Sequence, residues 1–458
     1  MNRQRGLQAG IFVFLILTGC SKTDKKLNVE GAFSPVIENL RSAPEPPVRG
    51  DVNTLTAIVK NPRGYAIRYH WSTGAGTVPD STGTGVLTGD TTLATVHWTA
   101  PPAIGNYPVT VTITAHDEIN DVDFVKTRTF YLHVDNEFVR WTRSIALQFD
   151  VVPPTAGRIY YSEVRNSSTG ESDIWALATP LGSPEQITHD FWQTTQATVQ
   201  SDGSHAGFVV FMGKKHSSDG GASIYQLPPT GGDTTAASIL LQWTNNANLY
   251  VGGPRFAPSG SMLAYSNDTI PESHFYPKGW MRDAGNLATA PIPITPTAPF
   301  GSEQTNSYWN PAWRGTGDSL VMESYSSFPS VNRASRGLFK FSATGNPPTN
   351  PDPFSPWLSD LQAFEPDWSP DGQHIVFSKR SIGHTDRDIW IINAAASDPS
   401  AAVQVTVGPA DDFHPRFSSD GSQIFFVSNR VDGYGANGVY DTERRGLNIW
   451  CVGRFDKP

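Results

Sequence analysis

Glu365-Pro366-Asp367-Trp368-Ser369-Pro370-Asp371-Gly372 decides the reading of this chain, because variants of it recur as His414-Pro415-Arg416-Phe417-Ser418-Ser419-Asp420-Gly421 and Asn310-Pro311-Ala312-Trp313-Arg314-Gly315-Thr316-Gly317. Weaker copies stand at Gly253-Pro254-Arg255-Phe256-Ala257-Pro258-Ser259-Gly260 and Ala197-Thr198-Val199-Gln200-Ser201-Asp202-Gly203, with a degenerate one at Pro154-Thr155-Ala156-Gly157. The turn glycines at 157, 203, 260, 317, 372 and 421 are separated by 46, 57, 57, 55 and 49 residues. Fixed self-similarity of this kind marks a repeat array. An alternating apolar stretch follows each turn, at residues 158–162, 207–211, 262–266, 319–323, 374–378 and 423–428, and such alternation predicts a half-buried strand. Most units add a second strand near an aromatic, as in Ser172-Asp173-Ile174-Trp175, Ala222-Ser223-Ile224-Tyr225, Arg387-Asp388-Ile389-Trp390 and Leu447-Asn448-Ile449-Trp450.

The turn explains why these strands reverse. Asp-Gly tolerates positive φ and the preceding Ser or Pro sets the bend. The Trp or Phe two residues after Pro is large and flat enough to wedge between neighbouring sheets. No long stretch has a 3.6-residue period, which excludes a helical repeat. The expected fold is all-β: a six-bladed β-propeller over residues 140–458, preceded by an Ig-like β-sandwich at 51–136.

The Pro-x-Trp-Ser-Pro-Asp-Gly unit at 366–372, its cousin at 415–421 and the Ile-Val-Phe-Ser and Asp-Ile-Trp segments that follow resemble the WD-repeat-like propeller of TolB-type periplasmic proteins. The likeness spans roughly residues 140 to 455 as repeat architecture. It implies a propeller that docks proteins or peptides, usually without catalysis, although enzymes use the same scaffold.

Composition agrees with an exported all-β protein. The 458 residues include 41 Gly, 36 Pro and only 17% charged residues, which suits short strands and many turns. Net charge is −9, and removal of residues 1–19, which carry Arg3 and Arg5 and no acid, takes it to −11. No basic stripe is present, so nucleic acid is not an expected partner. Arg3 and Arg5 precede an apolar run at 11–17 and then Leu17-Thr18-Gly19-Cys20, the pattern of an export signal too short to span a bilayer. Its end resembles the lipobox of bacterial lipoproteins, which implies cleavage before Cys20 and lipid attachment there. Multiple acyl chains would then hold the protein on a membrane. Ser21 after the Cys resembles an outer-membrane sorting signal, and residues 20–50, polar with Pro44, Pro46 and Pro47, read as a flexible tether. Cys451 is the only other cysteine. With no internal bridge available, it is expected to be a small core residue.

Residues 51–136 follow a different grammar. Strands are expected at 53–59, 66–71, 94–98, 107–115 and 125–134. Trp98-Thr99-Ala100-Pro101 followed by Gly105-Asn106-Tyr107-Pro108-Val109-Thr110-Val111-Thr112 resembles bacterial immunoglobulin-like and polycystic-kidney-disease-type domains. That likeness implies Trp71 in the core and Tyr107 bracing its strand.

Catalytic motifs are missing from the chain: there is no Gly-x-Ser-x-Gly, His-Glu-x-x-His, Gly-rich phosphate loop or Cys-x-x-Cys. No metal or other cofactor is expected. The alternative is calcium at the loop bearing Asp117, Glu118, Asp121 and Asp123, since oxygen-rich loops can hold that ion. Asp386 and Asp388 beside Trp390, and Asp411 and Asp412 before His414, raise the same question more weakly. In a propeller the Pro-x-aromatic strand is innermost, so residues flanking the Pro would face the axis. That assigns Arg255, Asn310, Glu365, Asp367, His414 and Arg416 to an axial ligand site, together with Gln196, Thr198, Gly253 and Ala312. An insertion at 269–300 bears Phe275, Tyr276 and Trp280 and is expected to form a surface docking loop or to fold back over its blade. The function expected is a lipid-anchored, non-catalytic platform in the bacterial envelope, at the outer membrane, for an envelope protein or peptide. The rival is a glycan-binding protein or carbohydrate-active enzyme with Glu365 and Asp367 as acid and base.

Overall fold

The computed structural model describes residues 34–455 except 44–46, the single positions 80, 104, 120, 145, 156, 201 and 454, and the stretches 243–250, 268–277, 296–304, 329–332, 344–361, 381–384, 408–409 and 431–445. Cys20, Phe275 and Tyr276 therefore lie outside the described residues. Apart from the 3-10 turn Pro399–Ala401, the regular structure among the described residues is strand, and no helix there is long and apolar enough to cross a membrane.

The N-terminal unit is a two-sheet sandwich. One sheet orders Val36–Ala43, Val52–Lys60, Thr91–Thr99 and Val86–Thr88; the other orders Thr82–Thr84, Ile67–Thr73, Gly105–Asp117 and Val122–Val134. Alternation turns Leu55, Val59 and Trp98 of the first sheet onto Trp71, Val111 and Ile113 of the second, all of them buried in one core. The Tyr107 hydroxyl donates to Ala103 O at 2.9 Å, pinning the start of its strand as expected. The strand Val36–Ala43 falls inside the stretch read as tether. A bulge between Ile37 and Asn39 interrupts its alternation, which hid it among polar neighbours.

The remaining strands form six blades. Each blade is an antiparallel meander whose first strand carries the repeated motif: Gln148–Thr155, Gln193–Val199, Val251–Phe256, Thr305–Trp313, Ala363–Trp368 and Asp412–Phe417. Blades 1 and 2 are joined into one sheet by a single parallel pairing, Ser172 to Gln193. First strands touch in sequence order, and that of blade 1 also touches that of blade 6, so the array is a closed ring. Closure is covalently staggered: Phe138–Arg140, just after the sandwich, is the fourth strand of blade 6 and pairs with the C-terminal Asn448–Val452. A closed ring leaves no free end blade.

The motif aromatics wedge between blades. Trp368 of blade 5 shares a core with Ala312, Val321 and Leu338 of blade 4, while Phe417 of blade 6 shares one with Val376 and Ile389 of blade 5. Within the turn, Ser369 Oγ donates to Asp371 and accepts from His374 N at 2.9 Å, and Gly372 N donates to Ser369 O at 2.8 Å. Gly260 has φ +68°, and a Cβ there would sit 2.2 Å from Asp202 O of the preceding blade's turn, so glycine is required. Cys451 is buried among Phe425, Val427 and Ile449, and burial pushes its thiol pKa up. It is a packing residue.

A buried charge cluster joins sandwich to ring. Arg430 lies 2.8 Å from Asp412 Oδ2 and 3.4 Å from Asp135 Oδ2, and its guanidinium stacks 4.1 Å from the Phe138 ring centroid. Asn136 Nδ2 donates to Val405 O of blade 5 at 2.6 Å. Asp388 adds a third carboxylate. Burial, then Asp412 and Asp386, push its pKa up to about 8, and burial raises Asp135 to about 6. A carboxyl that holds its proton in the folded state favours folding below its ordinary pKa near 4, and that contribution is lost as pH rises toward the folded value. We therefore expect Asp388→Asn to gain stability relative to wild type between about pH 4 and pH 8, by at most about 1.4 kcal/mol per pH unit from this one proton. Urea midpoints measured across that range would show the gain; parallel curves would contradict it.

Candidate functional site

The site grows out of one backbone irregularity repeated around the ring. Every first strand has a β-bulge where its ladder would meet the motif, between Val152 and Thr155, Thr195 and Thr198, Gly252 and Arg255, Trp309 and Ala312, Phe364 and Asp367, and Phe413 and Arg416. In blades 2 to 6 the residue at that bulge is left-handed: Gln196, Gly253, Asn310, Glu365 and His414 have φ of 53°, 62°, 51°, 55° and 51°. Non-glycine residues bear such a conformation at about 1–3 kcal/mol each, so something must hold them.

What holds them is the neighbouring blade. The bulge amide, freed from its own ladder, donates to an acceptor one blade back: Gln196 N to Asp150 Oδ2 at 2.5 Å, Gly253 N to Gln196 Oε1 at 2.7 Å, Glu365 N to Glu323 Oε2 at 3.1 Å, and His414 N to Glu365 Oε2 at 2.8 Å. Asn310 Nδ2 donates to the same Glu323 oxygen at 3.1 Å. The bulge thus turns a strand amide into a link between blades.

A second set lies one pleat along. Arg255 Nη1 donates to Ala197 O at 3.1 Å, and Arg416 Nη1 donates to Glu365 O and Pro366 O, each at 3.3 Å. Asp367 Oδ2 accepts from Phe417 N at 2.9 Å. Burial drives the Arg255 pKa down to about 9, with Arg416 adding to the shift and Asp367 and Asp150 opposing it. Burial also raises Asp367, against the pull of Arg416. All six residues assigned to the axis from sequence thus sit on the innermost strands.

Glu365 is the most heavily engaged of them. It accepts from Ser378 Oγ at 2.8 Å and lies 3.5 Å from Arg387 Nη1 and 3.4 Å from His414 Nε2. Burial works to raise its pKa, but His414, Arg387 and these donors outweigh it and hold the carboxyl ionised. His414 is shifted down, chiefly by burial, with Arg416 and Arg387 adding repulsion. Arg387 also grips Asp411 through two bonds of 2.9 and 2.8 Å and covers the Phe413 ring at 4.0 Å. Asp411 and Asp412 are therefore ion-paired with Arg387 and Arg430 respectively. Among the described residues no group of three His, Cys, Asp or Glu side chains is arranged to hold a metal ion. In the loop considered for calcium, Asp117 Oδ1 accepts from Ile119 N at 3.0 Å and Asp123 pairs with His116 at 2.9 Å.

No family model matches the chain. A segment of 88 residues is 35% identical to Dipeptidyl-peptidase 5 of Porphyromonas gingivalis, covering 18% of this chain and 12% of that protein. Among solved structures, the β-propeller domain of the Trilobed protease from Pyrococcus furiosus aligns over 92% of this chain and 97% of its own at 8% identity and a TM-score of 0.38. An oligogalacturonate lyase in complex with manganese aligns over 93% and 99% at 11% identity and a TM-score of 0.37. The chain is an all-β propeller protein on its own sheet topology.

Glu365 and Asp367, considered as an acid/base pair, have separate donor sets and hold separate parts of blade 6. Ser378, the hydroxyl that donates to Glu365, is fully buried within blade 5. Of the insertion expected to form a surface docking loop or to fold back over its blade, Trp280 lies in the strand Lys278–Asp283, between partners Tyr265 and Pro293, and packs on the core shared by blades 2 and 3. Its alternation with buried Met281 made it strand, so it folds back as part of the blade. Reading the sequence missed Asp150, Glu323 and Arg387 as members of the axial network. They lie outside the Pro-x-aromatic motif, and only the ring brings them to it.

Proposed function

We propose that this chain is a lipid-anchored envelope protein, held through Cys20 at the outer membrane, whose TolB-like propeller on an Ig-like module is a non-catalytic platform for an envelope protein or peptide. The observation that supports this reading is the use of the axial charges. Glu365, Asp367, Arg255 and Arg416 are spent on blade-to-blade links, which makes the axis a rigid hub and leaves recognition to the rims. A rigid ring presents loops without ordering cost.

The test is a pair of measurements on the full chain. A saturable complex with one envelope protein should form from detergent-solubilised envelopes and survive Glu365→Gln. Turnover of a peptide or oligosaccharide, abolished by Glu365→Gln with the unfolding midpoint unchanged, would replace the platform by an enzyme.

A further inference from the structure

The sandwich meets the ring at one end, where Asp135 and Asn136 bond to blades 6 and 5. Strand registers fix what stands at the opposite, distal end. Val36 pairs with Lys60 and Lys60 with Thr91 in one sheet, and Asp117 pairs with Val122 in the other. The turn at 61–65 ties the two sheets together there: Asn61 N donates to Asp90 O at 2.6 Å, Tyr65 Oη donates to Asp117 Oδ2 at 3.3 Å, and a Cβ on Gly64 would stand 3.3 Å from Leu87 Cδ2.

Of the thirteen large apolar side chains exposed among the described residues, six gather on this one end: Val36, Val86, Leu87 and Leu93 from the first sheet, Ile119 and Val122 from the second. Val86 lies directly across from Leu93, so the two side chains adjoin. Ile119 is 91% exposed on a hairpin whose turn is fixed, since its own N–H donates to Asp117 Oδ1 at 3.0 Å. Apolar groups collected in this way and held by a rigid frame mark a contact surface. The exposed charges beside them have both signs, Lys60 and Arg63 against Asp90, Glu118 and Asp121, which suits an electrically neutral partner.

The partner is indicated by where the chain enters. Val36 opens the first strand and belongs to the patch, and that strand runs from the distal end toward the ring. Sixteen residues separate Val36 from Cys20, a reach of at most about 55 Å. A lipid on Cys20 therefore brings this end to the bilayer ahead of the ring, and tethering of that kind makes a weak second contact effective.

We propose that the distal end of the sandwich docks on the surface of an electrically neutral phospholipid bilayer, with Leu87 and Ile119 entering the interface. Acyl chains alone limit the distance of the protein from the membrane; this second contact sets its orientation and holds the ring away with its rims free. The proposal rests on the reading of Cys20 as a lipid anchor.

The test uses the full chain as processed in envelopes, purified in detergent and reconstituted on phosphatidylcholine vesicles whose acyl chains carry bromine, a quencher of dyes that enter the interface. Cys451 is buried and acylation consumes the Cys20 thiol, so a dye on Thr88→Cys reports the distal end and a dye on Ile239→Cys, on an outer strand of blade 2, reports the ring. The Thr88 dye should lose more than half of its emission and the Ile239 dye almost none. Leu87→Ser combined with Ile119→Ser replaces exposed residues, so it should abolish the quenching with the unfolding midpoint unchanged, while the protein still floats with the vesicles. Mass measurement of the N-terminal peptide reports the anchor separately. An acylated protein that floats with Thr88 no more quenched than Ile239 would overturn the docking and leave the anchor, whereas an unacylated protein with Thr88 quenched would do the reverse. Quenching that appears only when phosphatidylglycerol is added would mean adsorption by charge and would overturn the proposal. So would shielding of Thr88 in native envelopes but not on lipid alone, which assigns the patch to a protein, or a dimer that the double substitution dissolves, which assigns it to a second copy.

Discussion

Replacing Arg430 by Met is expected to destabilise the protein by about 3–5 kcal/mol, the usual cost of removing one partner from a buried ion pair. Asp135 and Asp412 are both fully buried and both meet this one guanidinium, with Asn136 N and Ser428 Oγ as further donors and Asp388 close by. Met fills the volume but leaves the carboxylates facing one another in a poorly hydrated site. The loss should shrink at low pH, where the carboxyls accept protons, and grow toward pH 8. Asp412→Asn added to Arg430→Met should recover part of it, since the pair belongs to one network. Denaturant midpoints of the four proteins of this cycle, at pH 5 and pH 8, are the measurement. A loss below about 1 kcal/mol at pH 8, or no recovery in the double variant, would show that the cluster does not hold the junction. Because Asp135 and Phe138 connect the sandwich to the strand that closes the ring, the same variant should also expose the chain near residue 136 to proteases.

Glu365→Ala should cost a similar amount, about 3–5 kcal/mol, which for a domain of this size lowers the melting temperature by on the order of 10 °C. The substitution leaves Arg387 with Asp411 as its carboxylate partner, removes the acceptors of His414 N and Ser378 Oγ, and leaves a left-handed backbone at residues 365 and 414 with less to hold it. Glu365→Gln keeps an oxygen acceptor but no charge and should fall between Ala and wild type. This series also separates the two functional readings. A carboxylate kept for catalysis is often a strained liability whose removal stabilises the fold, whereas one kept to bind blades together is missed. Calorimetric melting of Glu365→Ala at or above the wild-type temperature would therefore count against a structural hub. Acid should act in the same direction as the substitution. The Glu365 pKa is held below its ordinary value and that of His414 is also lowered, so the stability each contributes is present at neutral pH. The histidine's share is lost as pH falls below about 6.5, and the carboxylate's as pH falls further through its folded value.

Much of the ring was legible because its information is local. A Ser/Pro-Asp-Gly turn reverses the chain within a few residues, and period-two alternation sets which side chains face the neighbouring blade. Those two signals, repeated, place five of the six first strands and all six second strands near where they lie. The motif aromatics between blades followed from the same pattern. Five of the sandwich strands were legible for the same reason; Val36–Ala43 was not, because a bulge spoiled its alternation, and Thr82–Thr84 and Val86–Thr88 were not, because three residues are too few to show a period.

The site was legible only in outline. That residues flanking the motif proline face inward follows from strand order, and these residues do meet there. What the sequence alone determined, then, was the array: turn chemistry and alternation act over ten residues or fewer, and any window of the chain contains them whole. Tertiary structure decided the rest. Which acceptor meets a bulge amide, which carboxylate takes Arg387 or Arg430, and which strand closes blade 6 depend on residues tens to hundreds of positions apart, brought within bonding distance only when the ring shuts. Hydrogen bonds and ion pairs act over a few ångströms, so their partners are set by where the blades finally stand and not by their order along the chain.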